Sequence, residues 1–176
     1  MTTPSLQPLS WSQAIADIPE GGLKRERTAS DDECAATAKA LGLLEASNLK
    51  AEYRIERLAG GGYRLQGRMA ADVAQPCIVT LEPVADSLDE SFDVEFWPDV
   101  RANESGQDAR VLEGRDVEPL ERGEIPVGRI VFETLSAALD PYPRKGDADF
   151  AWQDPQAGEP EKASPFAALA RLKTKD

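Results

Sequence analysis

The stretch Gln75-Pro76-Cys77-Ile78-Val79-Thr80-Leu81-Glu82-Pro83-Val84 constrains this chain more than any other. It is a short apolar, β-branched run with a proline towards each end, which reads as a strand inside a sheet. Strand side chains alternate between faces, so Cys77, Val79 and Leu81 point one way and Ile78, Thr80 and Glu82 the other. The weak alternation of polarity predicts a central strand covered in part on both faces.

The elements around it follow from local patterns. Leu9 and Trp11 are the expected anchors of an N-terminal strand or arm, and Gly21-Gly22 turns into Leu23–Thr28, a charged edge strand. Ser30-Asp31-Asp32-Glu33 has the form of a capping box, opening a helix that runs to Leu41 and stops at Gly42. Within it Cys34, Ala38 and Leu41 recur at core spacing, which makes Cys34 a structural residue. Tyr53 and Ile55 alternate with Arg54 and Glu56, and Gly60-Gly61-Gly62 supplies a hairpin turn. Tyr63, Leu65, Met69, Ala71 and Val73 share a face on the return, with Gly67 marking a bend or bulge. Phe92, Val94 and Phe96 alternate with Asp93, Glu95 and Trp97 in a further antiparallel strand.

Residues 103–123 read as a loop. Pro126 suits the first position of a second helix with the apolar stripe Val127, Ile130, Val131, Leu135, Ala138 and Leu139, which Asp140-Pro141-Tyr142-Pro143 ends. Residues 144–163 are linker-like, and Pro165–Leu172 forms a short helical segment. That segment either docks on its own domain or serves as a peptide ligand for a partner. The expected organisation is one α+β domain over residues 1–143, a linker over 144–163 and a C-terminal helical piece over 164–176. The domain is a curved antiparallel sheet of about five or six strands flanked by two helices.

A chain of 176 residues, 41% hydrophobic, can build a real core and is not globally disordered. No apolar run approaches the length of a membrane span, and residues 1–5 lack a basic-then-apolar signal, so a cytoplasmic protein is expected. The formal charge of −12 is concentrated: residues 82–121 carry 13 acidic and 3 basic side chains, a net of −10. Such a segment repels phosphate backbones and suits either a solubilising surface or a basic protein partner. Arg54, Arg64 and Arg68 share the sheet's outer face. They would form either a small RNA-binding island, joined by Arg144, or cross-strand pairs with Glu56, Asp93 and Glu95.

Catalytic chemistry finds little to use. The absence of histidine removes the usual general base and the commonest metal ligand. Two distant cysteines cannot make a four-ligand zinc site and, in a cytoplasmic chain, read as small buried hydrophobes. The acidic loop lacks EF-hand spacing, and Gly60-Gly61-Gly62 is not followed by a phosphate-binding Lys-Ser/Thr. The expectation is a protein that is not an enzyme, with no metal, cofactor or small-molecule substrate.

Several words in this chain resemble the bacterial large ribosomal RNA subunit accumulation protein family (YceD-like), in its alphaproteobacterial branch. They are Pro19-Glu20-Gly21-Gly22, Leu41-Gly42-Leu43, the Gln75–Val84 stretch, Phe132–Arg144 and Pro165–Lys173, in family order across residues 17–173. The signature positions so matched include Gln75, Cys77, Thr80, Leu81, Glu82, Pro83, Asp140, Pro141, Tyr142, Pro143, Phe166 and Leu169. The resemblance implies a non-catalytic role in 23S rRNA accumulation and large ribosomal subunit biogenesis. Its partners would be a basic ribosomal protein or assembly factor, or precursor large-subunit rRNA. Many relatives pair the cysteine matching Cys77 with a second one three positions on. Here that position is Thr80, so no metal or redox role carries over from such a pair. Pro126 also stands where the family pattern usually has a helix-capping aspartate. The rival expectation, from residues alone, is an acidic adaptor without a ribosomal role.

Overall fold

Apolar side chains at every second position of three long strands set the architecture. A computed structural model of the chain describes residues 8–98 and 116–146. The chain divides into two units, residues 1–146 and 147–176, of which the second lies outside the described residues. The expected C-terminal segment with Phe166 and Leu169, and all but residues 144–146 of the expected linker, therefore lie outside them too.

In chain order the elements are β1 (Gln13–Ala14), a turn of 3₁₀ helix (Ile15–Asp17), β2 (Leu23–Thr28), α1 (Asp31–Leu41), β3 (Glu45–Arg57), β4 (Tyr63–Pro76), β5 (Pro83–Trp97), β6 (Asp116–Pro119), β7 (Glu124–Ile125) and α2 (Val127–Ala138). The order across the main sheet is β2-β3-β4-β5-β6, and β1 and β7 make a separate two-stranded ribbon. The first four strands of the main sheet meander antiparallel, as the sequence implies, whereas β6 runs parallel to β5. The expected all-antiparallel sheet is thus a mixed one. Residues 116–119 of the expected loop form a strand, because Leu120 N–H donates to Trp97 O (2.9 Å) and draws β6 alongside β5.

Burial follows strand periodicity. Ala51, Tyr53 and Ile55 on β3, Leu65, Met69, Ala71 and Val73 on β4, and Phe92, Val94 and Phe96 on β5 are buried on one face. Gly67 closes this layer by omission: a Cβ there would come within 2.5 Å of both Glu52 O and a Phe92 ring carbon. The Phe92 ring occupies the space a larger residue would need, so Gly67 serves close packing and sits in unbroken register opposite Tyr53 and Phe92.

Both helices cover the apolar face, α1 on β3 and α2 on β5 and β4. Ser30 caps α1 in a full capping box with Glu33, and Gly42 ends it in the left-handed region at φ 67°. Cys34 and Ala38 are buried, and Leu41 packs partly against the same core. In α2 the stripe Val127, Ile130, Val131 and Leu135 is buried as its spacing predicts. Pro126 stands one position earlier than expected, as the N-cap. Leu9 and Trp11, 1% and 7% exposed, are the anchors of the N-terminal arm. The arm runs along the start of α2, where Gly128 N–H donates to Trp11 O (2.8 Å). Trp11 Nε1 donates to Glu33 Oε1 (2.9 Å), tying the arm to α1 as well.

Gly128 is the tightest point of this seam, since a Cβ there would lie 2.4 Å from Leu9 O. Gly128→Ala should therefore push the arm off α2 and destabilise the fold by about 1–3 kcal/mol, despite the better helix propensity of alanine. Urea unfolding of the two proteins checks this, and a gain in stability would show that the arm does not pack there.

Candidate functional site

The Gln75–Val84 stretch is a hairpin, which corrects the expectation of a central strand. Pro76 and Pro83 face each other as the last pair of the β4–β5 ladder, and residues 77–82 make the connection. Neither proline has an N–H to extend the ladder, so pairing stops there although Ile78, Val79 and Thr80 are β-branched. Cys77 N–H donates to Glu82 O (2.8 Å) and Leu81 N–H to Cys77 O (2.9 Å), closing a tight loop. Leu81 adopts φ 62°, a left-handed conformation that a side-chain-bearing residue seldom takes.

Cys77 is the centre of this loop and is fully buried. Its sulfur accepts hydrogen bonds from Val79 N–H (3.4 Å), from the Thr80 N–H and hydroxyl, and from Lys145 N–H. The Thr80 hydroxyl, followed by the three backbone donors, holds the Cys77 thiol down from its ordinary 9.0 to about 6, against an opposing contribution from burial. Thr80 thus serves the Cys77 sulfur as a hydrogen-bond donor. Among the described residues no group of three or more His, Cys, Asp or Glu side chains could hold a metal ion. Cys34 is likewise a buried free thiol, remote in sequence and placed under α1.

The second signature segment folds back onto this loop. Leu139 is extended (ψ 140°) and ends α2, and Asp140-Pro141-Tyr142-Pro143 passes beside the hairpin. Gln75 Nε2 donates to Asp140 O (2.9 Å), and Ile78 N–H donates to Pro143 O (2.9 Å). Lys145 Nζ meets Glu82 Oε2 at 2.9 Å. Asp140 Oδ1 accepts Tyr142 N–H (2.8 Å), and Pro143 is buried. Gln75, Cys77, Thr80, Glu82, Asp140 and Pro143, spread over almost 70 positions, form one hydrogen-bonded unit around the Cys77 sulfur. Leu81 and Tyr142 are carried on it at 75% and 71% exposure. Sequence reasoning found these residues but not their meeting, because nothing local signals a contact between positions 78 and 143.

Arg54, Arg64 and Arg68 do lie on the sheet's outer face, in contact with carboxylates. Arg64 holds Asp93 through two hydrogen bonds (2.8 and 2.5 Å), Arg54 meets Glu56 at 2.6 Å, and Arg68 pairs with Asp89. The Asp93 carboxylate also accepts from Gln66 (3.0 Å). Asp93 is a cross-strand partner as expected from the sequence, whereas Glu56 pairs with Arg54 along the same strand, β3. Arg144 is exposed and stands on the 140–146 segment, so it does not join the three arginines of the outer face as a described cluster.

A mixed five-stranded sheet backed by two helices, with its signature segments joined at one end, is an α+β domain. The family model of large ribosomal RNA subunit accumulation proteins, YceD, matches residues 65–173, more than half of the chain, and the chain belongs to that family. No curated protein and no solved structure matches it. The match covers both the Cys77 loop and the Asp140–Lys145 segment that packs on it. The family's name links it to accumulation of large-subunit ribosomal RNA. None of the described helices is long and apolar enough to cross a membrane.

The lowered thiol pKa carries a stability consequence. The folded chain holds the Cys77 proton less tightly than the unfolded chain. Stability from this group is therefore present in full above about 9, and is lost as the pH falls through about 6. Stability measured by urea unfolding at several pH values should rise across this window in the native protein, and the rise should be smaller in Cys77→Ser. Parallel pH profiles for the two would show that the sulfur carries no such charge.

Proposed function

We propose that this protein supports 23S rRNA accumulation as a non-catalytic factor in large ribosomal subunit biogenesis, acting in the cytoplasm through contacts with a basic ribosomal protein or assembly factor. Family membership supplies the ribosomal half of the proposal. The observation that carries the choice of partner is the charge of β5 and β6. The described residues of the 82–121 segment, 82–98 and 116–121, hold nine Asp or Glu and no Lys or Arg, and of the nine Glu82, Asp89, Asp93 and Glu118 pair with Lys145, Arg68, Arg64 and Arg129 of other elements. Asp86, Asp89 and Glu90 on β5 are exposed. Such a surface attracts cationic protein extensions and repels phosphates.

Direct RNA contact through the outer-face arginines is the weaker alternative. Arg54, Arg64 and Arg68 each already face a carboxylate, and a phosphate would have to displace it.

Sedimentation of cell extract through a sucrose gradient tests the proposal. The protein should travel with large-subunit precursors at low salt, and Asp86→Asn, Glu90→Gln and Asp116→Asn together should weaken that association. Exposed charge pairs contribute roughly 0.2–1 kcal/mol each, so the triple change should cost about tenfold in affinity. Association that is unchanged by the triple variant would contradict the acidic-surface contact. A protein that stays at the top of the gradient even at low salt would contradict the ribosomal role.

A further inference from the structure

Four large hydrophobic side chains among the described residues are mostly exposed: Leu44 (54%), Ile78 (52%), Leu81 (75%) and Tyr142 (71%). All four belong to one end of the sheet. Leu44 N–H donates to Ala74 O (2.8 Å), which places it at the far end of β4, three residues before the Cys77 loop. Ile78 and Leu81 are in that loop, and Tyr142 adjoins Pro143, whose carbonyl takes the Ile78 N–H. Exposed apolar residues scattered singly over a surface are ordinary, but their collection at one place is the mark of an interaction site.

Leu81 adds a second, independent sign. Its φ of 62° suits glycine or asparagine, and its side chain is the most exposed of the four. A glycine or asparagine would fit both this backbone and its exposure to water better. The loop nevertheless holds a branched apolar side chain outward, against backbone strain and against the hydrophobic effect. The loop is also not loosely hung, because its amides are engaged by Glu82 O, Cys77 O and Pro143 O and its core by the Cys77 sulfur. A side chain held this way presents its contact area with little conformational freedom left to lose on binding.

The rim of the patch states what kind of partner it fits. Glu45 follows Leu44, Asp86 lies on β5 just beyond Val84, and Asp140 precedes Tyr142. Glu82 is neutralised by Lys145, and Arg144 is the one further cation of this segment. On the Leu44 side, Asp31 and Lys39 of α1 line the same cavity as Glu45 and offset each other, so Glu45, Asp86 and Asp140 stand against Arg144. Tyr142 alone of the four offers a ring for a base to stack on, beside the aliphatic Leu44, Ile78 and Leu81, and a single stacking platform on an acidic rim disfavours single-stranded RNA.

We infer that this end of the sheet is a protein-docking surface, with Leu81 entering an apolar depression that is rimmed by Lys or Arg on a basic large-subunit protein or assembly factor. The inference rests on the proposed ribosomal role and goes further by naming the contact surface and its anchor.

Binding of the full-length chain should be measured to three probes: purified large-subunit precursor particles, large-subunit proteins freed of RNA, and protein-free 23S rRNA. Two variants accompany the native protein, Leu81→Gly and the pair Ile78→Ser with Tyr142→Ala. Glycine is at home at φ 62°, so Leu81→Gly should melt at or above the native temperature. Both variants should nevertheless bind particles and free proteins about tenfold or more weakly, as an anchor residue requires. If the native protein binds particles and both variants match it within about twofold, the docking surface is overturned while the ribosomal role stands. Native binding to protein-free rRNA that is as tight as to particles, and lost in the same variants, overturns the protein partner. A native protein that binds none of the three probes removes the ribosomal role and this inference together.

Discussion

The sulfur of Cys77 is the hub on which one whole end of this molecule depends. It is buried, and four donors from three residues, Val79, Thr80 and Lys145, converge on it. A neutral thiol is a weak acceptor, and a thiolate satisfies such donors far better, which is why the pocket favours the deprotonated form. This one atom holds the β4–β5 connection in shape and also fixes the segment that leaves α2, since Lys145 belongs to the latter. Without it, N–H groups on both segments would lose an acceptor, leaving the Gln75–Asp140, Ile78–Pro143 and Lys145–Glu82 contacts to hold the two pieces together.

Each surface of the sheet then takes a distinct task. The helix-covered face is the core, with Leu65, Met69, Phe96 and Leu135 fully buried. The opposite face carries alternating charges in ion pairs such as Arg64–Asp93, which keep it soluble and hold its strands in register without adding much stability. The remaining end, where the Cys77 loop and the Asp140–Lys145 segment meet, is neither core nor charged surface. Its apolar side chains are held outward by a rigid support. The sheet thus has one face given to the core, one to paired charges, and an end that holds apolar side chains outward.

The local elements were legible in the sequence wherever one residue type decides the geometry. Ser30 with Glu33 announces the start of α1, Gly42 its end, and Gly60-Gly61-Gly62 the β3–β4 turn. The alternation of Phe92, Val94 and Phe96 locates the buried half of β5. The other half, Pro83–Ser91, shows no alternation because its side chains are almost all exposed, so only its pairing with β4 makes it a strand. Cys77–Leu81 misleads in the opposite sense. Its composition is that of a strand, yet two facing prolines end the ladder and the long-range contacts of Ile78 and Lys145 settle its shape. Strand β6 could not be read from local pattern, since its parallel pairing with β5 follows a long connection. The signature residues of the site were found by resemblance, whereas their assembly around one sulfur depends on contacts between positions 75–82 and 140–145, which leave no periodicity to detect.

The Cys77 loop and the Asp140–Lys145 segment form one ordered unit before any partner arrives. Amide hydrogen exchange of the free protein tests it most directly. The Cys77, Ile78 and Leu81 amides donate to Glu82 O, Pro143 O and Cys77 O, and the Lys145 amide donates to the sulfur. All four should exchange slowly, at rates approaching those of β4, and Cys77→Ala should speed the Lys145 and Ile78 amides together. Exchange of the Ile78 and Lys145 amides at the rate of an open chain in the native protein would contradict the claim. It would leave the two segments as separate loops that happen to lie near each other.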